Sequence, residues 1–403
     1  MKFDVFFSIC QTEVAGQMPS ERTMFYNFFD QLQLADELEF GTAWVAETHL
    51  SCEVQKGGPQ AVIPHFKGEI GLNTDILQLA HLAFQKTKKI AIGSAIRNIL
   101  CNGGPIAHAE ALRTFLALRE YGSSEERTLH LGFAAGRFDF SNRPYGILPR
   151  DAVEKAAWSV VKGKLFLEAT EIFLRLLKGE TFARQDLPSQ SLKKADFKKP
   201  EDWEKLQSVA GDCGNEILLK PFFNFEEIAI IPREVNLKDL RLVIGSHDPQ
   251  AQILANKILP TGVFNLSITP PAIIEETHQR MQAHFHPDGG EWRRWMMPRT
   301  AMVFVDATAG ISSVARTEKA RNQAEKAWEN YWKAMEGTLD PLKVKEAVAN
   351  TLAGDPDELV RQIRAKYHPD DRLMLWFDFN NHDNDAIKKS MRIFKEQVVP
   401  QLQ

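Results

Sequence analysis

Short apolar runs alternate with amphipathic stretches along the whole chain. Residues 2–9 read as a first strand. Between residues 21 and 40, Phe25, Phe28, Phe29 and Leu32 recur at the i, i+3, i+4, i+7 spacing of a helix. A strand over 42–49 comes next, then a helix opening at Asp75 and a strand over 89–96. A helix closing on Gly122 precedes a strand over 129–134, and 151–179 reads as one long helix. The alternation continues with a strand at 240–245, a helix at 250–258 and a strand near 262–268. A strand at 301–306 leads into a long helix over 312–335, striped by Ala324, Ala327, Trp328, Tyr331, Trp332 and Met335. A capped helix at 354–367, a strand at 373–379 and a last helix at 385–402 complete the pattern.

Continuous β/α alternation predicts a parallel sheet, either an open doubly wound one or a closed barrel. A strand count near eight, with no break resembling a linker, favours a single (β/α)8 TIM barrel over residues 1–403. Two stretches fall outside the pattern. Residues 180–238 are polar and irregular and predict an inserted surface excursion. Residues 283–298 (AHFHPDGGEWRRWMMP) are a candidate rim over a site.

Composition narrows the class. The 49 Lys and Arg against 53 Asp and Glu leave a net charge of −4, so no nucleic-acid footprint is present. No run approaches the ~18 apolar residues of a membrane span. The N-terminal apolar run is interrupted by Asp4 and does not pattern as a signal peptide. Cys10, Cys52, Cys101 and Cys213 are scattered without a CxxC pair, which predicts reduced thiols in a cytoplasmic protein.

Several chemistries have no motif here. There is no GxGxxG after a strand, no GxxxxGK[ST], no GxSxG and no HExxH. His284 and His286 lack a third ligand at suitable spacing, so no metal site is predicted. In a barrel the functional side chains gather at the C-terminal strand ends. Glu47, Thr48 and His49 end the second strand, where they either carry chemistry or satisfy loop backbone. Gly93, Ser94 and Ala95 near the end of the third would let a flat ring approach, although tight strand packing asks for the same residues. Arg137 succeeds Gly136 after the fourth strand, as an anion ligand or a surface ion pair. Gly245, Ser246 and His247 lead into a helix capped by Asp248 and Pro249. That arrangement suits a phosphate, and it is also a sufficient helix cap by itself.

These pieces, in order, resemble the bacterial luciferase-like flavin-dependent monooxygenases. Residues 1–11 (MKFDVFFSICQ) are similar to the family's first strand, and residues 44–50 (WVAETHL) to its tryptophan-led strand ending in Glu-His-His. The IGSAI at 92–96, with Pro105 and the HAE at 108–110, is similar to the family's Gly-Thr-Ala-Ala strand with its Pro and Ala-Glu. GDPDELVRQI at 354–363 and SMRIFKEQVVPQL at 390–402 match the family's last segments. The resemblance implies a (β/α)8 barrel taking reduced FMN from a separate flavin reductase. It implies a flavin C4a-hydroperoxide, formed with O2, that oxidises a carbonyl or heteroatom of a small organic substrate. It places Glu47 at the flavin, a cis peptide at Ala95–Ile96 under the ring, Ser94 beside it, Ser246 at the phosphate and Trp328 next to the cofactor.

The chain also departs from luciferase. Thr48 stands where luciferase has its catalytic histidine, and a hydroxyl does not titrate near neutral pH as imidazole does. His49 is adjacent, but strand alternation turns it the other way. Ala135 replaces a phosphate-binding arginine, for which Arg137 is the candidate substitute. Ala134 replaces a cysteine, Gly245 replaces a glutamate, and the segment after Met335 is short. The same fold with the deazaflavin F420 would give a hydride-transfer enzyme, and a non-catalytic flavin-binding protein is a further alternative. The resemblance implies a homodimer, for which Leu77, Ala80, His81 and Phe84 form a candidate stripe.

Overall fold

Strand β1 (Lys2–Phe7) is buried at every position after the first, as a strand covered on both faces must be. It is succeeded by α1 (Glu21–Glu37), β2 (Thr42–Val45), α2 (Ile76–Lys86), β3 (Ala91–Asn98), α3 (Gly104–Gly122), β4 (Leu129–Ala134) and α4 (Trp158–Lys178). The second half runs β5 (Leu240–Ile244), α5 (Pro249–Ile258), β6 (Thr261–Val263), α6 (Pro271–His284), β7 (Arg299–Val305) and α7 (Ser313–Ala334). It ends with β8 (Leu352–Gly354), α8 (Pro356–Lys366), β9 (Arg372–Trp376) and α9 (Asn384–Ile393). The computed structural model describes residues 1–52, 54, 67–122, 126–211, 214–334 and 341–402. Cys213 and Met335 lie outside the described residues.

The strands form one nine-stranded sheet in the order β8-β7-β9-β1-β2-β3-β4-β5-β6, and all of its pairings are parallel. Asn265, just beyond β6, joins the sheet to itself: its N–H donates to Pro298 O at 2.9 Å and its carbonyl accepts from Thr300 N at 3.1 Å. The result is the barrel expected from the alternation. Strand β8 is an addition, paired with Val303, Phe304 and Val305 of β7. At three residues it is too short to show a period.

Side chains alternate across the sheet. Phe6, Trp44, Val243, Phe264 and Met374 pack inside the barrel, with Ala46, Ala95, Ile96 and Trp376 against them. Val5, Phe7, Val45, Ile92, Leu131 and Ile244 face the helices. Trp44 is fully buried and donates from Nε1 to Asp4 Oδ2 at 2.7 Å, which satisfies its one polar atom.

Four expectations change. Strand β2 stops at Val45 instead of residue 49, because Thr48 N–H donates to Asn73 O in a loop. The helix read over 151–179 breaks at Ala157 (φ −114°, ψ 23°) into Ala152–Ala156 and α4. The 180–238 stretch is not wholly irregular: it holds a helix, Pro200–Ala210, and an antiparallel pair, Ser191–Lys193 with Glu216–Leu218. Trp203 and Leu206 of that helix pack on Leu192 and Val161, an apolar stripe masked in the sequence by surrounding charges. Finally, Leu77, Ala80 and Phe84 are buried in the chain's own core, and the His81 ring lies 4.4 Å from Phe115. The stripe expected to meet a partner is therefore already covered. The exposed apolar residues of α2 and α3 are Leu82, Leu118 and Tyr121.

Candidate active site

The ends of β3, β4 and β5 form a floor of small groups. Ala95 and Ile96 both pack on the barrel interior, the Ala95–Ile96 peptide is cis, and the β3–β4 register shifts between Ser94 and Arg97. A Cβ added at Gly245 would lie 2.5 Å from Ile96 Cδ1 and 3.2 Å from Ala134 Cβ. Only glycine leaves Ile96 where it is. Beside this floor, Ser246 Oγ accepts from Asp248 N at 3.2 Å, and Asp248 caps α5 by accepting from Gln250 N. A hydroxyl that accepts there keeps its own hydrogen for an incoming oxygen. His247 is exposed and tied to Asn265, with Nε2 3.0 Å from Oδ1.

A second constellation sits between the ends of β2 and β3 and the start of α3. Glu47 has a fully buried side chain whose Oε2 accepts from Ser94 Oγ at 3.2 Å. Its Oε1 lies 3.3 Å from His49 Nε2 and 3.6 Å from Arg97 Nη1, yet makes no well-formed hydrogen bond. Arg97 reaches on to Asp75 Oδ1 at 3.4 Å and donates from Nε to His108 Nδ1 at 2.8 Å. Burial first, and Arg97 second, push His108 down to about 3, so it stays neutral with Nε2 on Cys101 O at 2.9 Å. Burial, then Glu47, push the Cys101 thiol up to about 12, which leaves it unreactive. Beyond the strand, Glu47 and His49 lie together, and the Thr48 hydroxyl is turned to the loop. The Thr48 hydroxyl donates to Gly71 O at 2.9 Å, so it serves the loop.

Apolar groups from several βα segments meet above this end. Cys10 comes after β1, Ile70 precedes α2, Phe138 and Phe140 come after β4, and Tyr331 belongs to α7. The Phe138 and Phe140 rings stack at 5.1 Å and 9°.

No protein-family model and no curated protein matches the chain. Solved structures do. The monooxygenase RslO1 from Streptomyces bottropensis superposes with a TM-score of 0.65 at 16% identity, over 100% of both chains. The oxygenating constituent of 3,6-diketocamphane monooxygenase from Pseudomonas putida, a type II Baeyer-Villiger enzyme in complex with FMN, gives 0.58 at 14% identity over 99% and 98%. An F420-dependent secondary alcohol dehydrogenase gives 0.55 at 13% identity over 100% and 99%. The chain has the luciferase-like fold.

Within the luciferase-like barrel, Arg137 is exposed and leans over the Phe138 ring at 5.7 Å. It also faces Tyr331, whose phenol is raised chiefly by burial, with Arg137 opposing the shift. Trp328 donates from Nε1 to Thr351 Oγ1 at 2.9 Å and packs 4.7 Å from Phe379, so its polar atom and one face belong to the core under α7. The segment at 283–298 joins α6 to β7 and so lies at the far end from these residues, not on their rim.

Other residues at these strand ends gave no signal in the sequence. Asp378 accepts from Ser8 N at 3.2 Å and Ser8 Oγ at 2.9 Å, and burial raises it to about 6. Asn98 Nδ2 donates to Asn142 Oδ1 at 2.6 Å against Gly136, where a Cβ would lie 2.1 Å from that nitrogen. Arg97 and His108 did stand within or beside the IGSAI and HAE segments, but their pairing requires the α3 packing.

Proposed function

We propose that this protein is an oxidoreductase that takes reduced FMN from a separate reductase and uses O2 to oxygenate a small organic substrate. The observation that carries this reading is the floor of Ala95, Ile96, Ala134 and Gly245, with the Ser246 hydroxyl beside it at the start of α5. A flat ring fits against groups this small, and a phosphate suits a hydroxyl and a helix N-terminus. Reduced flavin, when bound, supplies the electrons that activate oxygen.

The chain's own residues divide the remaining work. Ser246 and the backbone at Gly245 and His247 hold the phosphate, and Arg137, exposed after β4, is the candidate cation for it. Ser94 fixes Glu47, and Glu47 orients His49 at the strand end. His49 is the group for moving a proton, and Thr48 shapes the loop through Gly71. Phe138, Phe140, Ile70 and Tyr331 exclude water, which oxygen chemistry on a reduced ring requires. Trp328 backs this wall through Tyr331 and Phe379. Two copies pair through the outer faces of α2 and α3, which carry Leu82 and Leu118.

Anaerobic titration with reduced FMN, then mixing with oxygen, tests the reading. The expected result is tight 1:1 binding and a long-lived absorbing species distinct from oxidised flavin. Immediate release of oxidised FMN would sink it. The second reading, hydride transfer with F420, is favoured by the full-length likeness to the F420-dependent alcohol dehydrogenase. Preferential binding of F420 over FMN would establish it instead.

A further inference from the structure

A cavity of about 820 Å³ opens at the other end of the barrel. Its position is set by its lining: Leu240, Pro260, Pro298 and Arg372 stand at, or just before, the first residues of β5, β6, β7 and β9. Catalytic groups of barrels lie at the opposite mouth, about 15–20 Å away along strands of this length. The volume falls within the ~300–1,000 Å³ of small-molecule sites.

The chemistry at the floor is specific. His130 of β4 is 8% exposed, borders the cavity, and packs against Trp44 with ring centroids 5.1 Å apart and planes tilted by 54°. Among the described residues neither of its ring nitrogens has a hydrogen-bond partner. Burial, then the positive charges of Arg372, Arg241 and Lys2, keep it neutral, so it offers one donor and one acceptor. Arg372 is 11% exposed at its side chain; its Nε makes no hydrogen bond and stands 3.5 Å from Asp4 Oδ2. Burial raises the Asp4 carboxyl, with Arg372 opposing. Arg372 and Lys2 thus face the reluctant Asp4 carboxylate, while Asp288 and Glu291 also line the cavity. Trp295 lies at the rim, with Lys2 Nζ 3.5 Å and the Arg372 guanidinium 5.1 Å from its ring centroid. The intervening wall is apolar, including Leu242, Val243 and Met296.

We propose that this end of the barrel is a second ligand site, built for an aromatic monocarboxylate. The carboxylate meets Arg372 and His130, and the ring lies along the apolar wall toward Trp295. The His130 imidazole, which has no hydrogen-bond partner among the described residues, and the Arg372 guanidinium, held only at 3.5 Å from Asp4, are the polar groups that a ligand carboxylate would complete. The proposal does not depend on the flavin reading, because the two sites share no residue.

The probe is 2-naphthoate, with the neutral 2-naphthalenemethanol as its control, titrated into the full chain by calorimetry and tryptophan fluorescence. The expected result is one saturable site per chain, with the alcohol at least tenfold weaker. Arg372→Gln and His130→Leu should each weaken naphthoate tenfold or more, with FMN affinity unchanged. If either buried substitution fails to fold, Lys2→Gln and Trp295→Ala at the rim carry the test, each with a severalfold loss. Equal affinity for acid and alcohol, absence of saturation, or naphthoate binding unmoved by the rim variants would overturn the proposal.

Discussion

Arg97 donates from Nε to Nδ1 of His108 across 2.8 Å, and this contact determines which proton His108 carries. A ring that accepts at Nδ1 must hold its hydrogen at Nε2, on the Cys101 carbonyl. A second proton would face a guanidinium in a buried site. The native His108 therefore stays neutral down to about 3, whereas the unfolded chain protonates near 6.5. Between those values the unfolded state binds more protons, so stability falls as pH falls.

The first prediction rests on that sign. Urea unfolding at pH 6.5, 5.5 and 4.5 should show a loss of up to about 1.4 kcal/mol per pH unit from this group. His108→Gln keeps an acceptor for Arg97 and removes the titration, so its loss over the same window should be smaller by about that amount. Parallel slopes for the two proteins would contradict the assignment.

Asp378 predicts the opposite sign. Its native carboxyl titrates near 6 and its unfolded one near 3.8, so the native state holds the extra proton and stability falls as pH rises between them. Asp378→Asn retains an oxygen acceptor for Ser8. It should be more stable than the parent at pH 8, by up to about 3 kcal/mol, with the difference vanishing toward pH 4. A variant that is destabilised equally at both pH values would show that the carboxylate is needed for its hydrogen bonds.

The strand end after β2 predicts a ranking of two substitutions. A positioned acid–base group contributes ~10²–10⁴-fold. His49→Ala should therefore slow turnover at least a hundredfold with flavin affinity retained. Thr48→Val removes one of two donors to the Gly71 carbonyl, the Ser51 hydroxyl being the other, and should cost at most about 1 kcal/mol of stability and at most about tenfold in rate. Steady-state kinetics beside thermal melts separate the two effects, and the reverse order would make Thr48 the critical group.

The phosphate assignment predicts cofactor selectivity. Hydrogen bonds to a charged group are worth ~1.5–3 kcal/mol, so reduced riboflavin should bind at least tenfold more weakly than reduced FMN. Ser246→Ala should remove much of that difference and leave riboflavin affinity unchanged. Calorimetry on both flavins measures it, and equal affinities for the parent chain would remove Ser246 and α5 from the site.

The strands and helices were legible along the chain, because a residue's period is a local property, and their count near eight favoured a barrel over an open sheet. Buried parallel strands read as apolar runs, and caps such as Asp75, Asp248 and Asp355 precede their helices as side-chain acceptors. The resemblance likewise located the cis Ala95–Ile96 bond and the turn at Gly245 and Ser246, since both lie within short contiguous segments. Which polar residues meet depended on how the elements pack. Asp378 reaches Ser8 only because the last strand, β9, pairs with the first, β1, Arg97 finds His108 only once α3 lies on β3, and the small β8 exists only as a neighbour of β7. The tertiary structure also decided how the apolar face of α2 is used, by burying it inward, and placed residues 283–298 at the far mouth. A hydrophobic stripe specifies that a face must be covered, but its partner depends on closure of the whole ring, which brings together side chains hundreds of residues apart in sequence.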